Sequence, residues 1–109
     1  EQMAEIWWQG LQDPANLEGT RRVRFYAYSS KFFRVYQGLH WQWRRGAIDH
    51  GLFNSITKLM EDFALAPGWR HIWRERRHQY DADFQQYMDA MMEKDEGKPL
   101  YPELVAENG

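Results

Sequence analysis

The side chains best suited to chemistry lie between positions 71 and 78, where His71, Glu75 and His78 follow helical spacing. Residues three or four apart share a helix face, so Glu75 can lie beside either histidine. Glu-x-x-His is the spacing of bundle di-iron sites, which need a second copy and two further glutamates. The chain has one copy, so this segment predicts at most a mononuclear metal site. The alternative, favoured by how common such pairs are, is a solvated, salt-bridged face.

Arginine is dense in and next to the same segment, with Arg70, Arg74, Arg76 and Arg77 within eight positions. Arginines near aromatic residues can bind nucleic-acid phosphates and stack on bases. If Trp69 and Trp73 formed the buried side of this helix, Arg70, Arg74 and Arg77 would form its reading side. The isoelectric point near 6.1 disfavours such a role, since nucleic-acid-binding domains are usually strongly basic. Nucleic-acid binding is therefore the alternative function.

No catalytic nucleophile stands out in the sequence. The chain has no cysteine, which excludes thiolate chemistry, thiolate zinc sites and disulfides. Ser29 and Ser30 fall inside a predicted helix and lack the glycines of a nucleophile elbow. No glycine-rich phosphate loop is present either. The sequence therefore disfavours enzymatic activity without excluding it, and it indicates no cofactor.

The elements that position these residues are helices, because apolar residues recur at intervals of three and four almost throughout. The first helix presents Met3, Ile6, Trp7 and Leu11 and ends at Asp13-Pro14. The second begins between positions 17 and 20 and runs to Arg45, with Gly46 as its stop. Its inner line is predicted as Phe25, Ser29, Phe32, Tyr36, Leu39 and Trp43, widened by Tyr26, Phe33 and His40.

Three shorter helices complete the predicted fold. Asp49 caps the third, which ends at Ala66-Pro67-Gly68, and Asp81 caps the fifth. The apolar face of the third helix is predicted to contain Leu52, Phe53, Ile56, Leu59, Met60 and Phe63. The fold class is all-α: a small bundle of four to five helices with one long central helix, on which the third and fifth helices pack. Residues 1–95 form one domain, and residues 96–109 are an acidic, flexible tail.

Charge is distributed unevenly along the chain. Residues 1–80 contain 12 Lys and Arg against 8 Asp and Glu, whereas residues 81–109 contain 2 against 8. No stretch approaches the roughly 20 apolar residues of a membrane span. The sequence also opens in helical periodicity without a capping residue before Ala4, as a piece of a longer protein would.

The chain has more tryptophans than one small core can bury. Residues two apart diverge by about 200° on a helix, so Trp41 and Trp43 cannot both face the core, and adjacent Trp7 and Trp8 also diverge. We expect Trp8 or Trp41 to be exposed or at an interface. The leading functional prediction is a non-enzymatic helical interaction or sensor domain that binds a protein partner or forms a homodimer.

The pattern of caps and aromatics resembles the C-terminal helical domain of a family of uncharacterised, often membrane-tethered bacterial proteins. The resemblance spans about residues 4–90 and rests on Gly10, Asp13, Leu17, Arg22, Arg24, Phe25, Phe33, Arg34, Tyr36, Gln42, Gly46, Asp49, Pro67, Gly68, Trp73, Arg77, Tyr80, Phe84 and Tyr87. The resemblance implies a helical fold, and because the family has no assigned reaction it implies no catalytic residue. With the lack of cysteine, it predicts a cytoplasmic location, at the membrane's cytoplasmic face if an upstream segment anchors the chain.

Overall fold

The computed structural model describes residues 2–94 and confirms the all-α prediction. The described part contains five α-helices and two short 3-10 turns, Pro14–Asn16 and Arg77–Gln79. The helices are α1 (Gln2–Gln12), α2 (Gly19–Arg44), α3 (His50–Phe63), α4 (Pro67–Arg76) and α5 (Ala82–Lys94). The predicted tail, residues 96–109, lies outside the described residues.

The long helix α2 ends where its glycine predicts. Gly46 has φ of 71°, a left-handed conformation that glycine adopts without a steric penalty. The amide of Gly46 donates to the carbonyl of Trp43 at 3.0 Å, and that of Ala47 donates to Gln42 at 2.8 Å. This is the hydrogen-bond pattern of a Schellman motif, which satisfies the last carbonyls of the helix.

Aspartate caps fix the starts of α3 and α5, as predicted. The Asp49 carboxylate accepts from the amide of Leu52 at 2.9 Å, and the Asp81 carboxylate accepts from Phe84 at 2.8 Å. The Asp13 carboxylate likewise caps the turn Pro14–Asn16 by accepting from the amide of Ala15. Each cap satisfies an amide that the first helical turn leaves without a partner.

The buried line of α2 lies partly beside the predicted one. Buried residues of α2 are Phe25, Ser29, Phe33, Tyr36 and His40, whereas the predicted inner residues Phe32, Leu39 and Trp43 are only half-buried. The difference arises because α2 has neighbours on both flanks. Phe33 stacks on Trp69 of α4 at 4.6 Å, while Trp43 stacks on Phe53 of α3 at 4.7 Å. The centre of the buried arc therefore falls between these two flanks.

Tyr36 joins the central helix to α3 and α5, confirming that both pack on α2. Its ring stacks on Phe53 at 5.6 Å and meets the edge of Phe84 at 5.9 Å. Its hydroxyl lies 2.7 Å from the Thr57 hydroxyl and 2.8 Å from that of Tyr87. One residue thus ties three helices together through both packing and hydrogen bonds.

Helices α1 and α4 approach closely through two glycines. A Cβ atom added to Gly68 would lie 1.7 Å from the carbonyl oxygen of Gly10. One added to Gly10 would lie 2.3 Å from the ring of Phe25 on α2. Only hydrogen fits at these two positions, so the glycines set how near α1 lies to α4 and α2.

The described helices do not include a membrane-crossing candidate. Within residues 2–94, no helix combines the length and the apolar character needed to span a bilayer.

Candidate functional site

The predicted basic reading face of α4 does not form, because Arg70 is buried. Arg70 retains 8% of its exposure, while Arg74 is exposed. Helix α4 packs between α1 and α2, and half of its ten residues are buried. Arg70 lines a cavity between α4 and α5, beside Trp73 and Met92. The prediction that Arg70, Arg74 and Arg77 share one open surface is wrong in this respect.

Arg77 is engaged in an intramolecular ion pair at the surface. Its guanidinium binds both carboxylate oxygens of Asp89 on α5, with Nε 3.2 Å from Oδ1. The indole Nε1 of Trp73 donates to the same carboxylate at 2.8 Å. Partial burial opposes ionisation of Asp89, but the hydrogen bonds from Arg77 and Trp73 outweigh it and hold the Asp89 pKa below its ordinary value. This network connects the end of α4 to α5.

Other arginines also have partners within the chain. These contacts join Arg21 to Gln9, Arg22 to the carbonyl of Ala15, Arg34 to the Tyr80 ring, Arg44 to Asp83, Arg45 to the Trp41 ring and Arg76 to the Tyr26 ring. Arginine–aromatic and arginine–carboxylate contacts of this kind stabilise a fold from its surface. The basic clusters of the sequence thus serve intramolecular contacts in large part.

The predicted metal site does not come together. His71 and Glu75 lie 2.9 Å apart, Nε2 to Oε1, and the Tyr26 hydroxyl donates to the same Glu75 oxygen at 2.8 Å. His78 falls in the 3-10 turn after α4 ends, so the helical spacing from Glu75 to His78 is lost. Among residues 2–94, no three histidine or acidic side chains are gathered closely enough to hold a metal ion.

Trp8 and Trp41 are both exposed, but they belong to different parts of the surface. Trp7, beside Trp8, packs on Tyr28 of α2 at 5.1 Å. Trp41 lies 13 residues beyond Tyr28 on α2, a separation of about 20 Å along the helix. The Trp41 ring is covered by the Arg45 guanidinium at 3.7 Å. The two tryptophans therefore do not form one binding site.

A larger exposed apolar surface lies on α2 and α3, and it includes Leu52 and Leu59, which the sequence had predicted to be core. Leu52 is 53% exposed, Leu59 is 49% exposed and Val35 is 64% exposed. Leu52 and Leu59 are separated by two turns of α3, with half-buried Ile56 between them. Leu39 continues the stripe from Val35 along α2.

The two stripes lie on the same side of the α2–α3 pair. On α3, Thr57 and Glu61 reach α5, contacting Tyr87 and Lys94. At 100° per residue, Leu52 and Leu59 project to the opposite edge of α3. On α2, Gln37 reaches the α5 side by accepting a hydrogen bond from the amide of Asp81.

Val35 and Leu39 project to the edge of α2 away from that contact. The stripes therefore form one surface, which we call the α2–α3 surface: Val35, Leu39, Leu52, Ile56 and Leu59. The sequence signal for its α3 half was the position of Leu52 and Leu59 at one edge of that helix's apolar arc.

Comparisons of the chain with protein-family models, with curated proteins and with solved structures gave no match. The resemblance to the C-terminal domain of often membrane-tethered bacterial proteins stays a prediction.

Proposed function

We propose that the chain is a helical interaction domain without catalytic activity, and that it forms a homodimer through the α2–α3 surface. The observation that carries the proposal is the exposure of Val35, Leu52 and Leu59 on one side of two adjacent helices. Contiguous exposed apolar patches on soluble domains mark interaction sites more often than isolated exposed side chains do. Burying the exposed half of a leucine contributes about 1 kcal/mol.

A second copy of the chain is the partner that suits this surface. Helices α2 and α3 run antiparallel, since Phe53 contacts Trp43 while Phe63, at the other end of α3, contacts Phe32. Two copies related by a two-fold axis can therefore pack their stripes as a four-helix layer, each patch meeting its own counterpart.

Charge at the edge of the surface also permits a second copy. The exposed side of α3 carries Lys58 and Asp62, which are one turn apart and opposite in sign. A second copy of this surface would therefore meet no block of like charge.

Sedimentation velocity tests the proposal. Wild-type protein should sediment as a dimer that dissociates on dilution through the micromolar range. The double variant Leu52→Lys, Leu59→Lys places charge on the α2–α3 surface and should sediment as a monomer with unchanged circular dichroism. The matched control Val23→Lys changes an exposed apolar residue of α2 that lies outside this surface, and it should remain dimeric. A wild-type protein that is monomeric throughout the range contradicts the proposal.

Nucleic-acid binding is the alternative function, and exposed Arg74 is the one residue of the predicted reading face that supports it. Filter binding with duplex DNA and with RNA at low and high salt separates the two functions. Salt-dependent retention that Arg74→Ala abolishes would favour the alternative, because phosphate contacts release counterions.

A further inference from the structure

A cavity opens where three helix ends meet, on a different part of the molecule from the α2–α3 surface. It lies between the C-terminal end of α2 and the N-terminal ends of α3 and α5, and its volume is about 660 Å³. Pockets for small molecules commonly measure about 300–1,000 Å³ and combine apolar walls with a few polar groups. This cavity has that size and is widely open to solvent. Trp43 and Tyr87 form its aromatic part, and its five other lining residues are polar or charged: His40, Arg44, His50, Asp83 and Gln86.

His40 is the buried polar group in the wall of the cavity. Its side chain retains 4% exposure, and its ring packs against Tyr87 at 4.5 Å and Phe84 at 5.7 Å. It makes no hydrogen bond to any residue in the part of the chain that the structure describes. Its ring nitrogens are not among the buried polar atoms that lack a partner, so they reach solvent at the cavity and can bond to a molecule there.

The imidazole of His40 is held in its neutral form. Burial lowers the His40 pKa below its ordinary value, and the nearby Arg44 charge lowers it further. A neutral imidazole presents one N–H donor and one nitrogen acceptor. A ligand that meets it best therefore carries both an acceptor and a donor.

The rest of the lining is aromatic or balanced in charge. Trp43 and Tyr87 supply flat walls, and Trp43 is itself held in place by its stacking on Phe53. At the rim, Arg44 of α2 pairs with Asp83 of α5, so the two opposite charges offset each other. Gln86 adds an amide, which can donate and accept at once. These groups favour a flat, uncharged molecule over an anion or a cation.

We propose that this cavity binds a small, planar, uncharged heteroaromatic molecule of the nucleobase class. Its ring would stack on Trp43 with an edge toward Tyr87, because those two rings are inclined at 51° to each other, and its donor and acceptor groups would bond to His40 and Gln86. Stacking on an aromatic side chain and paired hydrogen bonds from an amide are the two interactions by which proteins hold bases.

Three planar probes of similar size test the site: adenine, benzoate and benzamidine, which are neutral, anionic and cationic at neutral pH. Each is titrated into the full chain by calorimetry and by NMR of the histidine ring protons. Adenine should bind with a dissociation constant below about 1 mM and shift the His40 signals, and the two charged probes should bind at least tenfold more weakly.

Two variants locate the binding. His40→Phe keeps an aromatic ring in the wall but removes its hydrogen bonds, and should weaken adenine binding about tenfold. Gln86→Ala changes an exposed residue, so this variant should fold normally even if His40→Phe does not. It should weaken adenine binding several-fold. Gln12→Ala changes an exposed residue at the end of α1, far from the cavity lining, and is the matched control that should leave binding unchanged.

Failure of adenine to bind the folded wild type overturns the proposal. So does benzoate or benzamidine binding as tightly as adenine, or adenine binding that neither variant weakens. None of these outcomes affects the result of the sedimentation experiment, so the proposed ligand site and the proposed dimer are tested separately.

Discussion

His40 of α2 occupies a buried position. A charge on its imidazole costs free energy there, whereas an apolar ring would carry no such cost. Its surroundings include Arg44 on its own helix and the carboxylates of Asp81 and Asp83 at the start of α5, with His50 of α3 lining the same cavity. The carboxylates favour the charged form, but burial and Arg44 oppose it more strongly. The outcome is a lowered pKa, which links the folding equilibrium to pH.

We predict that the free energy of unfolding falls as the pH drops below the ordinary histidine value of 6.5. In that range the unfolded chain binds a proton at position 40 that the folded chain does not, so protonation favours unfolding; above it, both states are neutral there. Urea denaturation at pH about 5.5 and about 7.5 measures the effect. His40→Phe should decline less than wild type, and exposed His78→Gln should decline as wild type does. Equal declines in wild type and His40→Phe would contradict the prediction.

Asp89 provides the opposite case, since its pKa is lowered by hydrogen bonds that favour its charged form. Its contribution to stability is therefore present above its ordinary pKa of 3.8 and is lost as the pH falls toward the lowered value. We expect Asp89→Asn to lower the urea midpoint modestly at neutral pH, because the network is half exposed. The difference from wild type should shrink in acid. Exposed Glu93→Gln is the control and should match wild type at both pH values.

At the scale of the elements, the crossing of α1 and α4 gives the sharpest stability prediction. Gly68→Ala should destabilise the fold by about 3 kcal/mol, because its new methyl group meets the backbone of Gly10, which cannot move aside alone. Gly38→Ala is the matched control: Gly38 lies within α2 with nothing near its Cβ position. That change should stabilise the protein by about 0.5–1 kcal/mol through helix propensity. Thermal or urea unfolding measures both, and effects of the same sign would contradict this account.

Local chemistry explains which elements were predictable from sequence. The caps Asp49 and Asp81 and the stop at Gly46 depend on neighbours within a few residues, so the bounds of α2, α3 and α5 were predicted closely. The burial of a given side chain depends instead on which helices flank it. Leu52 and Leu59 fit an apolar helix face equally well whether or not a neighbour covers them.

The candidate site was harder to predict for the same reason. Arg70 was assigned to solvent because the sequence does not reveal which helices flank that side of α4. His78 was grouped with Glu75 because the pattern does not show where α4 tightens into a 3-10 turn. His40 has no partner at a diagnostic spacing, so its cavity emerged only when three helix ends were placed together.

At the scale of the whole molecule, the two proposed surfaces lie on opposite sides of the α2–α3 pair. The cavity adjoins α5 through Asp83 and Tyr87, whereas the stripe from Leu52 to Leu59 faces away from α5. Both depend on α2, which contributes His40 to one and Val35 to the other. A domain arranged in this way can bind a small molecule and a second copy of itself without one occupying the place of the other.

A dimer formed by the folded chain should also make its thermal stability depend on concentration. Association stabilises only the folded state, so the midpoint of thermal unfolding should rise with protein concentration. The double variant Leu52→Lys, Leu59→Lys should show the same midpoint at every concentration, while Val23→Lys should follow wild type. Differential scanning calorimetry over a hundredfold concentration range measures this. A midpoint independent of concentration for the wild type would show that the apolar stripes remain open to solvent, and the α2–α3 surface would then not be a dimer interface.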